Sequence, residues 1–144
     1  MCLCRSFKGL PHLSLDVDSR FLLEYFLSDN QETKSRASKR LRSIVEKRTG
    51  ILPTIVVAEI VCYVSDKRGR EEATLRYLSL KRSGLTIADL TAEIAREAGL
   101  LKSIHPNIPT GDCIIASTAL AKKAKILSDD HHYDEIKGIS RTSF

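Results

Sequence analysis

PTGDCIIASTALAKKAKILSDDHHYD, residues 109–134, is the stretch from which the fold of this chain can be read. From Cys113 to Ala124 it carries almost nothing polar except Ser117, Thr118 and two lysines, which predicts a mostly buried helix. Thr110 is the expected N-cap, and Gly111 and Asp112 open the helix. Lys125–Ser128 then runs through the apolar pair Ile126 and Leu127 as a short buried strand, and Asp129 and Asp130 follow where that strand surfaces. Carboxylates at the ends of buried elements are costly unless something compensates them.

The same combination recurs upstream. LSLDVD, residues 13–18, alternates apolar and polar and ends on an acid, as a strand does, and Ser19 is placed to cap a helix over Arg20–Leu27. After the polar turn 28–33, Lys34–Arg48 shows Ala37, Leu41, Ile44 and Val45 at helical spacing. Arg36, Arg40, Arg42 and Lys47 lie off that stripe, a basic face either solvated or in contact with RNA. Thr49 and Gly50 stop this helix, and Pro53 and Thr54 introduce TIVVAEIVCYV, residues 54–64. Here Val56, Val57, Ile60, Val61 and Val64 leave little room for a solvent face, yet Glu59 sits among them. Further on come an amphipathic helix over Arg70–Arg82, a short strand over Leu85–Ile87, a helix capped by Asp89 or Thr91 and running to Lys102, and a loop over His105–Pro109. A last short strand falls within Gly138–Phe144.

Strands alternating with helices predict an α/β fold, a three-layer α/β/α arrangement with a largely parallel central sheet. Ligands of such sheets gather at the carboxyl ends of the strands, where Asp18 and Asp130 are expected.

Composition sets the outer bounds. A chain of 144 residues with 42% hydrophobic and 28% charged residues is the size and make-up of one globular domain, assigned here to 11–144 behind a loose leader at 1–10. The longest apolar run, Ile55–Val64, is too short to span a membrane and contains Glu59. The opening MCLCRSFKG lacks the continuous apolar segment of a signal peptide, so a cytoplasmic protein is expected. Cys62 and Cys113 lie in apolar segments and are expected in the core; Cys2 and Cys4 have no second pair at zinc-site spacing. The net charge of +5 favours an anionic partner such as nucleic acid.

Four carboxylates are therefore singled out because each is tied to a buried element: Asp18, Glu59, Asp112 and Asp130. If they converge, their mutual repulsion makes a fully ionised cluster unfavourable, and a hard divalent cation relieves it. All-oxygen donors point to Mg²⁺ or Mn²⁺ rather than zinc.

With these residues in view, the chain resembles the PIN-domain nucleases over Leu13 to about Ile139. The resemblance is carried by VDSRFLLEY, PTIVVAEI, PTGDCIIASTAL and AKILSDDHHYDEI, in that order. It matches an Asp followed by Ser or Thr, a Glu in an apolar helix, an Asp before an apolar helix, and an Asp followed after two residues by an aromatic. Asp18, Glu59, Asp112 and Asp130 fall on those positions, with Tyr133 where the family more often has Phe. The resemblance implies an Mg²⁺- or Mn²⁺-dependent endoribonuclease acting on single-stranded or structured RNA, leaving 5′-phosphate and 3′-hydroxyl ends. It also implies the VapC-type toxin of a toxin–antitoxin pair, held by a small antitoxin protein and forming a homodimer. Ser19 and Ser128 are expected to fix a carboxylate or a water, and Arg20 and His132 to touch substrate. In strand alternation Asp129 points away from Asp130 and is placed outside the site.

Three other readings compete: a general RNA-processing nuclease, a non-catalytic module binding RNA or an antitoxin, and a phosphatase of the haloacid dehalogenase type. In the last, LDVDSR would supply Asp16 as nucleophile and Asp18 as general acid.

Overall fold

A computed structural model of the chain describes residues 13–144, so the expected leader, with Cys2 and Cys4, lies outside the described residues. In chain order the elements are β1 (Leu15–Val17), α1 (Ser19–Leu27), α2 (Gln31–Glu46), β2 (Gly50–Pro53), α3 (Thr54–Arg68) and α4 (Arg70–Lys81). These are followed by β3 (Thr86–Ala88), α5 (Ala92–Ile104), α6 (Thr110–Lys122), β4 (Lys125–Leu127), a 3-10 helix (His131–Glu135) and β5 (Arg141–Thr142). The strands form one sheet in the order β3-β2-β1-β4-β5, and every neighbouring pair is parallel. Parallel neighbours cannot be joined by a tight turn, so each connection carries helix.

Every residue of β1 and β2 is buried, as are Ile126 and Leu127 of β4. Successive strand residues point to opposite faces, so burial of all of them means that helices cover the sheet on both sides. The expected three-layer α/β/α architecture follows. Phe21, Leu22, Val56, Ile60, Ile115 and Ala116 bring helix side chains onto the strands in a single core. The edge strands differ: Thr86 and Ile87 of β3 are exposed, and β5 is two residues long.

The chain steps outward from β1 to β2 and β3, then returns to the other flank of β1 through β4. This reversal of direction opens a crevice at the carboxyl ends of β1 and β4. Register pairs Val17 with Leu127, so the residues that follow, Asp18 and Ser128, emerge side by side.

Several local expectations are corrected. Asp18, not Ser19, is the N-cap of α1: its carboxylate accepts from the Ser19 amide, and Ser19 is the first helical residue. Thr110 is likewise inside α6, with Pro109 at the cap position and no side-chain cap bond. The helix stop at Thr49–Gly50 runs directly into β2, a central strand too short to show alternation. Gly50 is required there because a Cβ would run into the Ile44 and Leu85 side chains. Helix α3 does have a solvent side, made by Ala58, Cys62 and Tyr63, so Cys62 is exposed rather than in the core; Cys113 is buried as expected. The segment after Asp130, His131–Glu135, is a 3-10 helix.

Candidate metal centre

Asp18 terminates β1 and caps α1, leaving its carboxylate 5% exposed at the floor of the crevice. Its Oδ1 accepts from the Ser19 amide (2.8 Å) and from the Tyr133 hydroxyl (3.3 Å), and its Oδ2 accepts from the Ser128 hydroxyl (2.5 Å). Burial pushes its pKa up to about 6; the Ser128 hydrogen bond opposes the rise and the negative charge of Asp112 adds to it. Tyr133 is fully buried, and burial beside Asp18 and Asp112 drives its phenol far above the usual range, so it remains a donor.

Glu59 reaches the same place from α3, where the Ser19 hydroxyl donates to its Oε2. Its pKa is raised first by burial, against the Ser19 bond, with Asp112 adding charge repulsion. The opposite oxygen, Oε1, lies over Gly111, where a Cβ would collide with it. Gly111 is thus the residue that lets α3 and the first turn of α6 bring Glu59 and Asp112 together. The preceding loop is tied by Lys102, whose ammonium donates to the carbonyls of Pro106 and Ile108 at 2.7 Å each.

Asp112, half-buried in that first turn, has its pKa raised by burial, lowered by a hydrogen bond to His132 and raised again by Asp130. Asp130 caps the 3-10 helix, accepting from the His132 amide through Oδ1 (2.9 Å). The His132 ring then comes back over the acids, its Nδ1 3.4 Å from Asp112 Oδ2 and 3.4 Å from Asp130 Oδ1. Arg20, largely exposed, points Nη1 at Asp130 Oδ2 from 3.6 Å.

The structure therefore gathers Asp18, Glu59, Asp112 and Asp130 around one crevice. Ser128 stands between two of them, donating to Asp18 while accepting from the Asp130 amide at 3.0 Å. Asp112, Asp130 and His132 form the tightest subset, each offering one ligand atom with all of these atoms within 4.8 Å of one another. Among the described residues no Lys or Arg comes within 4.0 Å of the Asp18, Glu59 or Asp112 carboxylates. Three carboxyl groups with raised pKa values, crowded by like charge and facing no fixed cation, are a donor set that fits a divalent ion.

Two residues stand apart. Asp129 is exposed, and it lies beyond the end of β4, in the irregular segment before the 3-10 helix, so strand alternation does not set its direction. Asp16, one pleat below Asp18, is fully buried with neither carboxylate oxygen hydrogen-bonded, and burial and then the Asp18 charge raise its pKa well above normal. It presents no atom to a substrate, which removes the nucleophile required by the haloacid dehalogenase reading.

Sequence reasoning missed Arg141. From β5 its guanidinium grips Asp134 with two bonds of 2.9 Å, reaches the Ser128 carbonyl at 3.3 Å and sits 2.8 Å from His131 Nδ1. It ties both ends of the segment that carries Ser128, Asp130, His132 and Tyr133. A lone arginine in a two-residue edge strand has no periodic signal that would have marked it.

The family model described as PIN domain matches residues 17–139. Among solved structures, the chain is similar to VapBC2 from Rickettsia felis bound to a DNA fragment from their promoter, with TM-score 0.71 and 19% identity over 92% of this chain and 98% of that one. It is also similar to VapC20 of Mycobacterium tuberculosis, a sarcin-ricin loop cleaving toxin, with TM-score 0.69 and 12% identity over 90% and 98% of the two chains. DNA-bound VapBC from Salmonella typhimurium gives TM-score 0.69 and 14% identity over 91% and 98%. At such identities the likeness is one of fold. No curated protein sequence matches the chain.

Proposed function

Because the chain belongs to the PIN-domain family, we propose that it is a metal-dependent endoribonuclease, the toxin of a toxin–antitoxin pair, acting in the cytoplasm. The observation that carries this reading is the convergence of Asp18, Glu59, Asp112 and Asp130 on one crevice with no fixed cation facing the three raised carboxyls. In the reaction a water oxygen bonds to phosphorus while the bond to the 3′ oxygen breaks, and the water's proton ends on that 3′ oxygen. The products are a 5′-phosphate and a 3′-hydroxyl.

The four acids would hold Mg²⁺ or Mn²⁺, which supplies Lewis acidity at the scissile phosphate. The chain's own residues prepare that site. Ser128 and Tyr133 hold the Asp18 carboxylate by two bonds, so that its remaining lone pairs face the crevice. Ser19 does the same for Glu59. Arg20, largely exposed beside Asp130, would meet the phosphate backbone of RNA.

An antitoxin partner is supported by the fold shared with VapBC complexes, and a homodimer is the expected assembly. Among the described residues no helix is long and apolar enough to cross a membrane.

The test is cleavage of single-stranded RNA by the purified protein with Mn²⁺. Cutting is expected, and its loss in Asp112→Asn, in Asp18→Asn and on adding EDTA. Cutting that persists in all three would sink the reading. RNA binding without cleavage, unchanged by Asp112→Asn, favours a non-catalytic binding module instead.

A further inference from the structure

We propose that His132 is itself a ligand of the ion, through Nδ1, so that the centre takes a first-row transition ion such as Mn²⁺ in preference to Mg²⁺. This rests on the metal-centre reading above and goes beyond the four acids.

The geometry is specific. One ring nitrogen, Nδ1, is equidistant from a carboxylate oxygen of Asp112 and one of Asp130, at 3.4 Å from each. Neighbouring ligands in an octahedral shell with bonds of roughly 2.1 Å stand about 3 Å apart, so the spacing needs little adjustment to become a coordination shell. The ring is also held in position through the backbone. The His132 amide donates to Asp130 Oδ1, the same oxygen its Nδ1 faces, and the 3-10 helix beneath is fastened by the Arg141 grip on Asp134. His131, next in sequence, is turned the other way: its Nδ1 is engaged by Asp134 and Arg141, which leaves one imidazole over the acids. Half-exposed, His132 can accept an ion without any core rearrangement.

Ligand chemistry then sets the preference. Mg²⁺ demands oxygen donors and keeps its waters, whereas imidazole binds well to first-row transition ions. A three-donor subset of two carboxylates and one imidazole therefore favours Mn²⁺ over Mg²⁺ relative to a site of carboxylates alone.

The experiment is electron spin echo spectroscopy of the full-length protein loaded with Mn²⁺, with Mn²⁺ and Mg²⁺ affinities measured in parallel by titration calorimetry. Modulation from a directly coordinated ¹⁴N nucleus is expected in the wild type and in His131→Ala, and its loss in His132→Ala. His132→Ala is also expected to weaken Mn²⁺ at least about tenfold while changing Mg²⁺ less than about threefold. Mn²⁺ bound in the wild type with no ¹⁴N modulation overturns the ligand role and leaves the four-acid centre standing. Modulation that survives in His132→Ala also overturns it. A wild-type protein that binds no Mn²⁺ at all overturns the metal-centre reading, and this inference with it.

Discussion

The Ser128 hydroxyl lies 2.5 Å from Asp18 Oδ2 and joins the residues that follow β1 and β4 at the crevice. It donates to a carboxylate that is otherwise almost stripped of solvent. Ser128→Ala removes that donor from the ionised form, so the Asp18 pKa moves up from about 6. Cleavage is expected to fall about ten- to a hundredfold at neutral pH, with the acid limb of the pH–rate profile displaced to higher pH. A rate profile identical to wild type would show that the hydroxyl plays no part in holding Asp18.

The stability of the metal-free protein should fall as pH rises. Asp18 titrates at about 6 in the folded chain against an ordinary 3.8, and Asp16, Glu59 and Asp112 are shifted in the same direction. Between these values the folded state holds more protons than the unfolded one, so stability is fully present below about pH 4 and is lost as pH climbs through 6. Asp18 alone contributes on the order of 3 kcal/mol to this loss. Melting temperature measured from pH 4 to 8 in EDTA should decline, and Mn²⁺ should restore it. Asp16→Asn should flatten the decline and raise stability at pH 7 by roughly 1–3 kcal/mol while leaving cleavage in place, because it replaces an unpaired buried carboxyl with a group that cannot ionise.

Gly111→Ala separates fold from function. In an ordinary helical turn alanine is worth up to about 1 kcal/mol over glycine. Here the added Cβ meets the end of the Glu59 side chain, which yields by moving out of the site. Thermal stability should be unchanged or slightly higher, with cleavage reduced at least tenfold, on the order of 1.4 kcal/mol of transition-state stabilisation. Full activity in a stable variant would show that the Glu59 position is not needed.

Arg141 is a positioning residue, acting through Asp134 and the Ser128 carbonyl. Arg141→Ala should lower cleavage by about tenfold and weaken Mn²⁺ binding, with little change in global stability because its carboxylate partner is exposed. Arg141→Lys should not rescue either property, since an ammonium cannot reproduce the two parallel bonds. Rescue by lysine would reduce the contact to a charge effect.

Much of the architecture was legible locally. The helix around Ile115 and the strand through Ile126 and Leu127 show as nearly unbroken apolar runs, and the strand ending at Asp18 shows as an alternation, because burial leaves a mark within a dozen residues. The strand β2 was lost because four buried residues wedged between a helix stop and a helix start have no room for a pattern. The capping assignments slipped by one residue: Asp18 and Ser19 are adjacent eligible caps, whereas at Thr110 the helix starts one residue early behind Pro109, with no side-chain cap bond.

The sequence by itself determined that acids were anchored to buried elements and that α and β alternated, since hydrophobic periodicity and the cost of burying charge are written along the chain. Tertiary structure alone decided the rest. Asp16 and Asp18 differ by one pleat, yet one carboxyl is sealed in the core without a partner and the other meets three donors. Ser19 finds Glu59 forty residues away, Ser128 finds Asp18 across 110 residues, and Arg141 clamps a helix its own strand says nothing about. Those contacts depend on strand order and register, and they are set by how the whole chain buries its apolar surface rather than by any segment's own composition.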